Sequence, residues 1–427
     1  MQQTALYWFR QDLRLHDNAA LNLASKACEK LVLVYCHSEE QNTKWGWSRC
    51  DSLRKQFIFS CLDDLRQQLK SKSSDLVELH GNVIQQLSEL ANQYDTKTIY
   101  SELIEAPEEL AQVKALENLG FTVRSIWQSS MVSLEDLPFQ LHQLPDVFTQ
   151  FRVLIEKNRV QPRAPQALAH QFPTLPANFV PIQNRPSIVT RQAHPNSSFP
   201  FQIWKHSGES QALKHLDQYF SGTQAHRYKE TRNQLTGWDY STKFSVWLAC
   251  GALSPRTLYQ ALKQFESTHG QSDGSYWIWF ELLWRDYFRF LHFKYGKQLY
   301  HATGLLEQSP KKIDHQAVNK WRLSETGQSL IDAAMNELNQ TGFLSNRLRQ
   351  IVASFLIYNL KGDWRAAASW FESQLLDYDV YSNQGNWLYI AGYGTDPRGG
   401  RAFDLQKQTK LYDPNAEYRK LWAFPTD

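Results

Sequence analysis

Between residues 4 and 130 the apolar positions fall into short runs separated by stretches of helical spacing. Runs at 6–9, 30–37, 76–80, 98–101 and 123–127 read as strands. The pattern of 49–70 predicts a long amphipathic helix, with shorter ones over 83–94 and 107–119. Strands alternating with helices predict a doubly wound parallel α/β sheet. Periodicity is lost from about 153 to 203, where Pro, Gln and Asn dominate and eight prolines fall between 162 and 200. This reads as a connector lying on the surface, with room for short helices. Beyond it helical spacing prevails, strand signals are few, and eleven of the 15 tryptophans occur after residue 200, which predicts an all-helical domain. The expected organisation is an α/β domain over 1–130, a connector over 131–203 and a helical domain over 204–427.

With 42% hydrophobic and 21% charged residues the chain reads as globular. No apolar run approaches the roughly 18 residues of a membrane-spanning helix, and 5–9 lacks a signal-peptide layout. The five cysteines (28, 36, 50, 61 and 250) show no C-x-x-C spacing, so free thiols in a reducing cytoplasm are expected. No cysteine follows 250, which argues against an iron–sulfur cluster in the C-terminal half, and no metal site is expected. Charge divides the chain: residues 1–150 hold 14 Lys/Arg against 20 Asp/Glu, whereas 151–427 hold 32 against 23. The basic half is the candidate for a polyanionic partner. Neither G-x-G-x-x-G nor G-x-x-x-x-G-K-[ST] occurs, so the α/β half carries no standard dinucleotide or nucleotide loop.

Four polar constellations interrupt the helical half. Y-K-E-T-R-N at 228–233 leads to D-Y-S-T-K-F-S at 239–245, where Ser241, Thr242, Lys243 and Ser245 offer hydroxyls, N–H groups and a cation at a helix start. Such an end holds phosphate, or serves as a plain polar cap. In 276–290, Trp277, Glu281, Trp284 and Arg285 lie a turn apart. Glu281 and Arg285 have the spacing of an i,i+4 ion pair; alternatively Glu281 is a carboxylate beside an aromatic wall, able to hydrogen-bond a pyrimidine. In 341–356, Asn346 and Arg349 share one helix face and Arg347 and Gln350 another, with Arg349 a natural partner for Asp377. Finally, 363–389 opens with Asp363 as N-cap and an apolar face of Trp364, Ala367, Ala368, Phe371 and Leu375. Asp377 and Asp379 follow where the helix dipole disfavours carboxylates, which calls for an arginine or ligand donors as partner. Asn383, Gly385, Trp387 and Tyr389 come next.

The order D-Y-D-V-Y-S-N-Q-G-N-W-L-Y at 377–389 resembles the flavin-binding segment of the photolyase/cryptochrome family. The tail at 391–422 resembles its DASH branch, as does P-D-V-F-T-Q-F-R at 145–152, and W-F-R-Q-D-L-R-L-H-D-N at 8–18 resembles the family's opening signature. The resemblance implies FAD in the helical half. It puts the pyrophosphate near Ser241, Thr242, Lys243, Phe244 and Ser245 with Tyr228 alongside. Trp277, Arg285, Asn346, Arg349, Asp377 and Asp379 complete the cofactor set, and Asn383 faces the reactive N5 edge. Glu281, Trp284, Arg347, Gln350 and Tyr389 fall on the side of the DNA substrate. Trp387 and Trp364 match the inner and middle members of a tryptophan electron chain, whose surface member is expected near Lys311, where no tryptophan stands.

The implied activity is blue- or near-UV-light-driven splitting of cyclobutane pyrimidine dimers by electron transfer to a flipped-out lesion, with single-stranded DNA preferred. Relatives that act on the (6-4) lesion carry a catalytic histidine, and none occurs over 316–427. A blue-light photoreceptor using the same pocket is the alternative, and a light-independent nucleic-acid-binding protein the third reading. The implied protein is a cytoplasmic monomer. For a folate antenna the resemblance asks for a glutamate where Ile104 stands; Glu102 and Glu105 are the nearby substitutes.

Overall fold

The structure is a computed structural model that describes residues 2–168, 172–199, 207–307, 313–314 and 316–423. Five parallel strands, β1 (Gln2–Phe9), β2 (Cys28–Ser38), β3 (Leu76–Gly81), β4 (Thr98–Glu102) and β5 (Thr122–Ile126), form one sheet in the order β3-β2-β1-β4-β5. All five expected strands are present, and the helices Ser52–Lys70, Val83–Gln93 and Pro107–Asn118 occupy the expected places. The pleat sorts side chains by parity. Leu6 and Trp8 face a core closed by Val83, Leu87 and Leu90, while Ala5, Tyr7 and Phe9 face Phe57, Leu62 and Leu65. A further helix, Ala19–Ala27, is capped by the Asn18 side chain, which accepts from the Leu21 N–H at 3.0 Å.

The second of these cores does not stop at the sheet. It runs on through Phe148, Phe151, Trp247, Leu283, Tyr287 and Phe290, so the two halves share one apolar interior. Buried ion pairs and hydrogen bonds reinforce it, and most come from the loop 8–18. Asp17 meets Arg256 at 2.9 Å, Arg14 donates to the Gly251 carbonyl at 2.8 Å, and Glu209 accepts from the backbone of Leu15 and His16 at 2.8 Å. The charged motif therefore clamps the α/β half to the helical half, while Arg14 also bonds the Asp17 carbonyl and Asn18 the Asp12 carboxylate within the loop.

The stretch 131–203 has two characters. The helix Phe148–Lys157 buries Phe148, Phe151 and Ile155, and the Asp286 carboxylate receives the Met131 and Val132 N–H groups at 2.9 and 2.8 Å. The later part runs along the β2 and β3 side of the sheet, bridging Lys30 of β2 to Thr174 and Glu78 of β3 to Gln183. Arg185 there meets Glu78 at 2.7 Å. Beyond it the described residues are helical, ordered around the long helix Asp273–Tyr295. No described helix is long and apolar enough to cross a membrane.

Candidate functional site

Two adjoining cavities open among the helices Ser245–Cys250, Asp273–Tyr295, Asn346–Ser354 and Val380–Ala391. The larger, about 720 Å³, is lined by Tyr228, Ser241, Thr242, Lys243, Phe244, Ser245, Trp277, Glu281, Trp284, Arg285, Arg347, Gln350 and Tyr389, among others. The smaller, about 90 Å³, is lined by Asn383 and Trp387 and shares Asn346, Arg349, Asp377 and Asp379 with the larger. Of the residues that the resemblance assigns to cofactor, substrate or electron path, Trp364 alone lines neither. It is buried against Tyr393, and its indole N–H donates to the Ala302 carbonyl at 3.0 Å. The ring neighbours of Trp387 are Phe371 at 5.1 Å and Trp321 at 6.1 Å. The expectation at Lys311 lies outside the described residues.

At one end, Thr242 is fixed by His215, which donates to its carbonyl at 2.9 Å, and Lys243 takes a left-handed φ of 57°. Lys243 is 2% exposed, and its Nζ has no hydrogen-bond partner among the described residues. It stands 3.5 Å from the Tyr240 ring centre and 4.9 Å from that of Phe343. Burial brings its pKa down to about 7, against the opposing charge of Glu337. A buried ammonium without an acceptor is costly, and an anion in the cavity would supply what it lacks. Seven cationic side chains against three carboxylates line the larger cavity, so its lining as a whole favours anions. Burial also pulls the Arg285 guanidinium down to about 9, with the neighbouring charge of Arg289 adding to the effect.

The two aspartates find separate arginines. Arg349 donates from Nη2 to both Asp377 oxygens at 3.0 and 2.9 Å, the pairing read from the sequence. Asp379 caps the helix Val380–Ala391 through the Ser382 N–H at 2.7 Å and pairs with Arg289. Burial works against the Asp379 charge, yet Arg289 and Arg285 hold its pKa at about 2. Asn383 donates to the Ala368 carbonyl at 3.0 Å and lines the smaller cavity.

The Glu281–Arg285 pair does not form. Glu281 bonds Arg232 instead, whose guanidinium lies 4.3 Å over the Trp277 ring, and Arg285 donates to the carbonyls of Ser129 at 2.5 Å and Leu248 at 3.2 Å. Burial raises the Glu281 pKa, with Arg232 opposing. Trp284 stacks on Phe148 at 3.7 Å and meets Tyr389 edge-on at 5.7 Å; Arg401 bonds the Tyr389 hydroxyl. Arg232, Arg289, Arg398 and Arg401 were not singled out. Arg232 stood in the quoted 228–233 motif and Arg289 one turn after Arg285, but neither position announces its partner.

A separate cleft of about 710 Å³ lies between the halves, at the C-terminal ends of β1 and β2. Ile104 lines it, with Glu108 and Glu109; Glu102 does not, being 1% exposed with both carboxylate oxygens unpartnered.

Comparison with known proteins follows this division. Residues 5–173 match the family model described as DNA photolyase, and residues 277–424 the model for the FAD binding domain of DNA photolyase. A cryptochrome DASH of Synechocystis is 42% identical over 98% of this chain and 87% of its own length. One from Xenopus laevis is 40% identical over 97% of this chain and 81% of its own. The crystal structure of a Synechocystis cryptochrome superimposes with a TM-score of 0.92 at 40% identity, covering 99% of this chain and 89% of that one. A class III photolyase from Agrobacterium tumefaciens gives 0.81 at 26% identity, over 99% and 86%. The chain belongs to the DNA photolyase/cryptochrome family, in its DASH branch. Its helical half is a photolyase-type FAD-binding domain.

Proposed function

We propose that the protein is a light-driven lyase that splits cyclobutane pyrimidine dimers in DNA, preferring single strands. The observation that carries this reading is one cavity whose lining combines an unpartnered buried Lys243 with the rings of Trp277 and Trp284 and the carboxyl of Glu281. When bound, reduced FAD supplies a photo-excited electron to the lesion, and the electron returns after the ring opens. The chain's own residues bind and position. Lys243, Ser241, Thr242 and Ser245 hold the diphosphate, and the Arg349–Asp377 pair with Asn346 and Asn383 orients the ring system.

On the substrate side a dimer inside a duplex cannot reach such a cavity and must be flipped out, at about a few kcal/mol, less from a single strand. Trp284 offers a face to the extruded bases, and the Glu281 carboxyl, held by Arg232, can hydrogen-bond a pyrimidine edge. Arg347, Arg398 and Arg401 with Gln350 lie where phosphate contacts would form, which makes binding salt-dependent. Trp387 lies beside the proposed flavin end and can deliver an electron inward.

The test is illumination of a single-stranded oligonucleotide carrying one cyclobutane thymine dimer, followed by chromatography of the strand. Light-dependent restoration of the thymines, faster than in the matching duplex, is expected. A flavin-loaded protein that leaves the dimer intact under light would overturn the proposal and favour a photoreceptor instead.

A further inference from the structure

Two cysteines separated by 189 positions meet where the halves join: Cys61 Sγ lies 3.9 Å from Cys250 Sγ. Cys61 sits on the helix Ser52–Lys70 of the α/β half and is fully buried. Cys250 ends the helix Ser245–Cys250 and lines the interdomain cleft, so a small solute can reach it. Its backbone is fixed on either side, by the Leu13 N–H bond to its carbonyl at 3.2 Å and by Gly251 at φ +73°. The remaining thiols are engaged elsewhere. Cys28 donates to Ala24 at 3.2 Å, Cys36 to the His37 carbonyl at 3.9 Å, and Cys50 Sγ receives Arg54 Nε at 3.0 Å.

We propose that Cys61 and Cys250 form a peroxide-oxidisable pair that closes into a disulfide, stapling the α/β half to the helix whose first residue, Ser245, lines the large cavity. This inference stands apart from the flavin reading. A disulfide needs about 2.05 Å between sulfurs, so closure asks for a movement of about 2 Å shared by two side chains.

The two thiols are unequal in the sense the chemistry needs. Cys61 is fully buried and burial pushes its thiol well up, whereas Cys250 lines the open cleft. Burial opposes a charge on Cys250 as well, but the contact with the Cys61 sulfur and the Ala252 N–H lower its pKa. Cys250 is therefore the attacking thiolate. It attacks one oxygen of a hydroperoxide; the S–O bond forms, the O–O bond breaks, and hydroxide or alkoxide leaves and takes a proton. Cys61 then gives up its proton and attacks the Cys250 sulfur; the S–S bond forms, the S–O bond breaks, and water departs. Two thiols lose two electrons and the peroxide gains them.

The experiment treats the full chain with hydrogen peroxide, and in parallel with diamide, blocks the remaining thiols by alkylation and maps a non-reducing digest by mass spectrometry. The expected result is a linked peptide pair joining Cys61 to Cys250, reversed by dithiothreitol, with the free-thiol count falling by two from five. Cys50→Ser retains the link and Cys250→Ser abolishes it. A link from Cys250 to Cys36 or Cys50, oxidation of Cys250 to sulfinic acid with Cys61 still free, or five alkylated thiols after both oxidants would each overturn the proposal.

Discussion

The Lys243 ammonium stands 3.5 Å from the centre of the Tyr240 ring, and no oxygen among the described residues meets it. Contact with an aromatic face recovers only part of the hydration lost on burial. The site is therefore preset for an anion, and a bound diphosphate should lift the Lys243 pKa back from about 7. Lys243→Ala should weaken FAD binding by about 1.5–3 kcal/mol, roughly tenfold to a hundredfold, the worth of a charge-assisted hydrogen bond. Fluorescence titration of apoprotein with FAD measures it, with circular dichroism confirming the fold. Unchanged affinity would remove Lys243 from the phosphate site.

The Arg349–Asp377 pair joins the helix Asn346–Ser354 to the segment that precedes Val380–Ala391, with Asp377 3% exposed and Arg349 22%. Removing Arg349 leaves a buried carboxylate uncompensated. A double-mutant cycle on Arg349→Ala and Asp377→Ala should return a coupling of about 1–3 kcal/mol in urea unfolding, reduced from the fully buried case by the arginine's partial exposure. Additive effects would mean that the pair contributes nothing beyond its separate parts.

Trp387 lines the smaller cavity and Trp364 does not. Trp387→Phe should abolish blue-light reduction of the oxidised protein, and Trp364→Phe should slow it, both read as bleaching of the flavin band with a thiol donor. Undiminished reduction in Trp387→Phe refutes the assigned path. Loss in Trp321→Phe with none in Trp364→Phe would redirect it through the ring 6.1 Å from Trp387.

Glu102 is buried with both oxygens unpartnered, and burial together with the charge of Asp12 raises its pKa to about 8 against Arg14, Arg289 and Arg10. The folded chain thus keeps a proton that the unfolded chain releases near the ordinary 4.5. That contribution is complete below 4.5 and is lost as pH rises toward about 8. Glu102→Gln, which is neutral throughout, should flatten this part of the pH dependence and be more stable than the native chain at about pH 8.5. Urea unfolding at several pH values tests it; an unchanged slope would mean that Glu102 is not protonated in the folded state.

The sheet was legible because a two-residue period with buried faces leaves little choice of register, and the helical half because its apolar spacing is long and regular. The connector was legible as loss of period, but not the burial of Phe148 and Phe151, which depends on the distant Tyr287. In the site, Arg349–Asp377 could be read because only one arginine of that helix face pointed the right way. Glu281–Arg285 misled because i,i+4 spacing permits a pair without requiring it, and Arg232, 49 positions away, takes the carboxylate. Asp379 advertised the need for a partner but not which of Arg285 and Arg289 would serve. The Cys61–Cys250 contact had no local signal at all.

The claim on which the account rests is that these helices enclose FAD. Titrating the purified chain with FAD in the dark, then removing free ligand by gel filtration and recording the absorption spectrum, tests it most directly. One equivalent of flavin per chain should remain, with resolved blue bands, and Lys243→Ala should lose most of it. A native chain that emerges colourless, with all the flavin in the small-molecule fractions, would contradict the account.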